Sequence, residues 1–186
     1  MSGRALAAVL AAAGALTACG GDASGDARDP GADGPLEAGA TAFTGSTALI
    51  PGRSVSVGLF VVRPEEDAGD MPIVLQRVRL ASASPEVRLI GAVAAGTDRP
   101  MGAFTAERRW PPSARFAGAT APVSGYEVRP GAAMQRTGAL VVLGLQADVL
   151  GRFEVREVVV DYRQGDRRFS ERMPMRFSLQ VDRRYP

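Results

Sequence analysis

Beyond residue 40 the chain is written in short alternating runs of apolar and polar side chains separated by Gly and Pro, the pattern of strands and turns. Residues 54–62 read SVSVGLFVV and place Val55, Val57, Leu59 and Val61 on one face. Residues 72–80 offer Val74, Val78 and Leu80 to one side, with Arg77 and Arg79 on the other. Residues 86–93 and 140–147 read as strands in the same way. In residues 152–163 the alternation runs through Phe153 and Val155, then resumes as Val158, Val160 and Tyr162. That single change of parity predicts a β-bulge near Arg156 and Glu157. After the turn at Gln164, Gly165 and Asp166, residues 168–181 carry Phe169, Met173, Met175, Phe177, Leu179 and Val181 on one parity, which predicts a hairpin.

No window of a dozen residues holds a helical period, although residues 132–139 can form a short turn. About seven short strands with frequent turn signals predict an all-β fold, an antiparallel β-sandwich of immunoglobulin-like kind, with a closed barrel as the alternative. The disulfide and core Trp of antibody domains are missing, so only the architecture carries over. Residues 94–125 break the alternation and are expected as a long loop at one end of the sandwich.

The first residues follow a different logic. Arg4 supplies a positive start, residues 5–16 form an unbroken apolar run, and Leu16-Thr17-Ala18-Cys19 closes it. This is the anatomy of an export signal, too short for the roughly 20 apolar residues of a membrane-spanning helix. Leu16-Thr17-Ala18-Cys19 resembles the lipobox of bacterial lipoproteins. The resemblance implies removal of residues 1–18 and a diacylglyceryl group on Cys19, so that the mature chain is anchored at the extracytoplasmic face of the cell membrane. Two acyl chains hold a protein stably where one does not. Cys19 is the sole cysteine and cannot form an intrachain disulfide. The alternative is an ordinary secretory signal followed by a chance cysteine.

Residues 20–40 combine Gly, Asp, Ala and Pro with one large apolar side chain, Leu36. Such a segment lacks the apolar surface to fold, so residues 19–40 are expected to be a lipidated, disordered acidic tether and residues 41–186 the sandwich. The turn Tyr162-Arg163-Gln164-Gly165 gives the C-terminal strand pair a resemblance to small lipoproteins of high-GC Gram-positive bacteria. It implies no particular activity.

With 46% hydrophobic and 23% charged residues, the composition is that of a folded soluble domain. All 22 cationic side chains are Arg, and the formal charge of +2 hides an asymmetry. Residues 20–40 carry five acids against Arg28, whereas residues 41–186 carry 20 Arg against 15 acids. Along the sequence those charges are interleaved rather than concentrated, which argues against nucleic acid as a partner.

Absences narrow the chemistry. The chain has no His and no Lys, and its one Cys is assigned to the lipid, so Ser-His-Asp, Cys-His and Ser-Lys nucleophiles and ordinary zinc sites are excluded. Glu65, Glu66, Asp67 and Asp70 sit in one inter-strand loop. They are candidates for Ca²⁺ ligation or carboxylate catalysis, weighed against a solvated loop. Met173 and Met175 share a strand face, with Met71, Met101 and Met134 elsewhere, and are candidates for Cu(I), weighed against core packing. Arg108, Arg109 and Trp110, followed by two prolines, are the candidate ligand-binding segment, with Trp110 as a plug at the end of the sandwich the competing role. Residues 152–184 alternate Arg with Glu and Asp, which suits cross-strand ion pairs or a site for lipid headgroups and wall polymers.

The expectation is a membrane-tethered, non-catalytic binding or interaction module of the cell envelope. It has no cofactor, and its partner is an envelope polymer or a protein. A metal-handling protein ranks second and a carboxylate-based enzyme third.

Overall fold

A computed structural model describes residues 34–38, 43–96, 105–130 and 138–184. The export signal, Cys19, residues 20–33 of the tether, Met101 and Met134 lie outside the described residues. Alternation at period two puts one side chain in two on each face of a strand, and two sheets bury their apolar faces against each other.

The strands are β1 (Leu36–Ala38), β2 (Phe43–Leu49), β3 (Ser54–Pro64), β4 (Ile73–Ala83), β5 (Arg88–Gly96), β6 (Thr105–Glu107), β7 (Thr120–Pro122), β8 (Glu127–Val128), β9 (Ala139–Gln146), β10 (Gly151–Gln164) and β11 (Arg167–Val181), with one helical turn, α1 (Ala114–Ala117). One sheet runs β1-β3-β9-β5-β7, with β6 also on β3; the other runs β2-β11-β10-β4-β8. Paired strands are antiparallel except β2, which lies parallel to β11. The chain is an all-β sandwich. Val55, Val57, Leu143 and Leu145 from the first sheet meet Leu75, Val158, Val160, Phe177 and Leu179 from the second in one core. Each such fully buried side chain contributes roughly 1.5–3 kcal/mol.

The strands change phase where their pairing slips. On β10 the register with both neighbours shifts between Val155 and Glu157, where the apolar parity changes. On β3 the register shifts between Gly58 and Phe60, so that Val62 is fully buried while Val61 is half-buried. A third slip, opposite Asp161 and Tyr162, lets Ile73 and Leu75 share the interior with Val78 and leaves Val74 half-buried. The predicted inward set Val61 and Val74 is thereby corrected. The hairpin β10–β11 pairs from Gly151 with Val181 to Gln164 with Arg167, leaving Gly165 and Asp166 as its loop. Gly165 takes a φ of +58°, open to glycine at no steric cost.

Two other expectations are corrected. The folded part begins before residue 41: Leu36–Ala38, read as tether, pairs with β3, and Leu36 is buried. Three residues of edge pairing and one large side chain suffice to dock a strand on a sandwich that already exists. Residues 105–122, placed by the sequence at one end of the sandwich, instead cross the outer face of the β3-β9-β5 sheet. β6 pairs with β3, and β7 pairs with β5. Between them, Ser113 caps α1 by accepting a hydrogen bond from the Phe116 amide. Trp110, Phe116 and Ala117 pack on Val93, Leu140 and Val142, which face away from the main core. β9 is therefore buried on both sides, and nearly all of its side chains are apolar.

Candidate functional site

The segment bearing Arg108, Arg109 and Trp110 is built into that outer layer. The indole lies over Gly91 of β5 and Gly144 of β9, where an added Cβ would stand 2.6 and 2.4 Å from the ring. Ser56, buried on the outward side of β3, donates to the Arg109 carbonyl at 2.5 Å. The Glu107 carboxylate accepts from the Ser113 amide at 2.7 Å. Partial burial opposes ionisation of Glu107, but the bonds from Ser113 and the charge of Arg109 outweigh it and hold its pKa below the usual value. Trp110 thus packs on a sheet face rather than plugging an end, while Arg108 and Arg109 are exposed and Arg109 Nε donates to the Pro111 carbonyl at 3.2 Å.

Met173 and Met175 are buried in the core beside Phe177. Glu65, Glu66, Asp67 and Asp70 lie in the β3–β4 loop, the last three exposed. No three His, Cys, Asp or Glu side chains come together as a metal-binding group among the described residues. No helix among the described residues is long and apolar enough to cross a membrane.

The run of charges from residue 152 onward changes character once its register is known. Residues directly opposite in a ladder share a face. On β4, β10 and β11 the outward positions hold Arg77, Arg79, Arg152, Arg156, Arg163, Arg168, Arg172 and Arg176. Facing the same way are only Glu154, Glu157 and Asp161. The remaining charges of residues 152–184 are elsewhere: Asp166 is in the hairpin loop, Arg167 and Glu171 have the parity of the buried residues, and Asp182, Arg183 and Arg184 follow β11. β4 meanwhile brings in two more arginines. The edge strand β8 adds Glu127, already bound to Arg129 at 2.7 Å.

Toward the hairpin loop this face is knitted together. Arg79 clasps Asp161 through two bonds of 3.2 and 3.3 Å, and Ser170 donates to the same carboxylate at 2.6 Å. Partial burial opposes ionisation of Asp161; the bonds from Arg79 and Ser170, with the charges of Arg79 and Arg77, prevail and lower its pKa. Arg172 reaches Glu157 at 2.6 Å.

Beyond the bulge the face opens into a groove of about 990 Å³ between β2 and β10, lined by Arg152, Glu154, Arg156 and Arg176, with Thr44 and Ser178 also on its wall. A second hollow, of about 380 Å³, lies on the β4 side of Arg152, Glu154 and Arg156 and is edged by Ser82 and Ser84. Glu154 is the one carboxylate among three cations. Its bond and attraction to Arg156, followed by the charges of Arg152 and Arg176, hold its pKa below the usual range. Guanidinium forks match the paired oxygens of phosphate, sulfate and carboxylate groups. Comparisons of the chain with models of protein families, with curated proteins and with solved structures find no significant match.

Proposed function

We propose that the protein is a non-catalytic binding module for anionic ligands of the cell envelope, held at the extracytoplasmic side of the membrane by lipidated Cys19. The observation that carries the reading is the outer face of β4, β10 and β11, where eight arginines stand against three carboxylates beside an open groove. Such a face raises the local concentration of a polyanion and steers its approach. The guanidinium groups then exchange solvent for oxyanion partners. The sequence supports the address, through the signal and lipobox at residues 1–19, and supports a binding role over catalysis, since no His or Lys is present to act as base or nucleophile.

The immunoglobulin-like reading is part of this proposal. The order β1-β3-β9-β5 against β11-β10-β4 follows the ABED and CFG sheets of a constant-type immunoglobulin domain. On that reading the basic face is the outer side of the CFG sheet.

The test is titration with polyphosphate, used as a generic polyanion, at increasing ionic strength. Binding is expected at low salt and is expected to weaken as salt screens the face. Combining Arg152→Gln, Arg156→Gln and Arg176→Gln is expected to lower affinity by roughly tenfold or more, about 1.4 kcal/mol. Equal affinity for the chain and the triple variant overturns the reading.

A further inference from the structure

We infer that the ligand of the basic face is a linear anionic polymer lying along the strands, and not the lipid surface to which the chain is tethered. This rests on the reading of that face as the binding surface. The geometry that adds to it is where the tether joins. Gly34 is pressed against Tyr162 and Phe169, and the Glu65 amide donates to the Pro35 carbonyl. Gln164 ties the β10–β11 loop to the same end through bonds to the carbonyls of Ala68 and Met71. Gly34, where the described chain begins, therefore lies at the hairpin-loop end of the sandwich.

That end offers no excess of positive charge to an anionic bilayer. The loop beside it carries Glu65, Glu66, Asp67 and Asp70, and the hairpin loop carries Asp166, against Arg163, Arg167 and Arg168 flanking the hairpin loop. The negative surface of such a membrane attracts those arginines and repels the more numerous acids. The basic face runs away from the join. Glu154, in the groove, is eight residues from Tyr162 on β10, roughly 26 Å at the rise of a strand. From Arg163 to Arg152 the face extends over roughly 36 Å of β10. On β11, Arg168, Arg172 and Arg176 recur at every fourth residue, roughly 13 Å apart. A bilayer meeting the tethered end touches the first of these and misses the rest. A flexible chain of anionic groups, extended along the strands, meets all of them and enters the groove that a planar surface cannot.

The experiment compares the full chain with its variant carrying Arg152→Gln, Arg156→Gln and Arg176→Gln, so that any contribution of the apolar N-terminal segment cancels. Both are titrated with polyphosphate fractions of graded length and, separately, with phosphatidylglycerol vesicles. The chain is expected to gain roughly a hundredfold in affinity as the polymer lengthens, levelling once it spans the roughly 26 Å from Arg168 to Arg176, because each added contact is intramolecular. The variant is expected to lose most of that gain, and the vesicles to bind both proteins alike. Vesicle binding that disappears in the variant overturns the inference in favour of a lipid surface. Polymer binding that depends on the three arginines but not on length also overturns it, while leaving anion binding at the face intact. Loss of any difference between chain and variant, for every probe, removes the binding reading as well.

Discussion

Trp110 and Asp161 show how much a single position can be told by its surroundings. The indole has a place only because residues 91 and 144 are glycines: a Cβ at either would enter the ring. Gly144→Ala is therefore expected to destabilise the fold by roughly 1–3 kcal/mol, the usual range for overpacking. It should also shift the emission of Trp110, the sole tryptophan, toward that of a solvated indole. Denaturant unfolding followed by fluorescence checks both, and an unchanged spectrum would mean that the ring is not seated there. The signal was present in the sequence, since each glycine interrupts an apolar strand, as happens where something approaches the backbone closely. What the sequence lacked was the pairing of these two positions with a tryptophan in a different segment. Asp161 makes the electrostatic case. Its pKa lies below the ordinary 3.8, so its bonds stabilise the fold above that pH and the contribution is lost as pH falls through the folded value. Asp161→Asn is expected to lower stability at neutral pH by about 1 kcal/mol. The gap between the two proteins should close below about pH 4, as measured by thermal unfolding across the acid range.

At the scale of elements, β1 is the part whose energetics are least evident from composition. Leu36 is buried, and the segment pairs over three residues with β3, yet its approach leaves the Tyr162 hydroxyl buried beside the Leu36 backbone without a well-formed hydrogen bond. Burial, with Glu171 and Glu65 nearby, drives the pKa of that hydroxyl well above normal, so it stays protonated. Gly34 completes the contact, because a Cβ there would stand 2.0 Å from the hydroxyl oxygen. Gly34→Ala is expected to destabilise the domain, whereas Tyr162→Phe is expected to be neutral or to stabilise by up to about 1 kcal/mol by removing an unsatisfied group. In the double variant the alanine should be tolerated better than alone, a non-additivity expected of residues in direct contact. Additive effects in urea titrations would mean that β1 does not dock on Tyr162. The long strands and the hairpin were legible because each has enough alternating positions to declare its own phase. The slip in β10 was legible for the same reason, as a change of parity between Val155 and Val158. β1 and β2 were not: short edge strands owe their structure to a partner far away in sequence. β9 was only half legible, since its burial on both sides depends on the layer formed by residues 105–122.

Over the whole molecule, the difference between a charge sequence and a charge surface decides the functional reading. Read along the chain, residues 152–184 carry nine arginines interleaved with six acids; folded, three of those acids and three of those arginines leave the face and two arginines of β4 join it, which leaves eight against three. Five uncompensated positive charges on one sheet face repel one another, and that repulsion is a feature of a binding surface rather than of a stabilising one. Arg152 and Arg176 are the informative pair, because the bond of Glu154 to Arg156 survives their removal. Combining Arg152→Gln with Arg176→Gln is therefore expected to leave the melting temperature of the free protein unchanged or slightly raised, and at the same time to weaken polyphosphate binding severalfold. Thermal unfolding with and without polyphosphate reads both effects in one experiment, since a ligand that binds only the folded state raises its apparent stability. If the double variant melts well below the parent while its polyphosphate-induced shift is unchanged, these arginines hold the sheet together. In that case the basic face is a structural feature, and the ligand must be sought elsewhere on the sandwich.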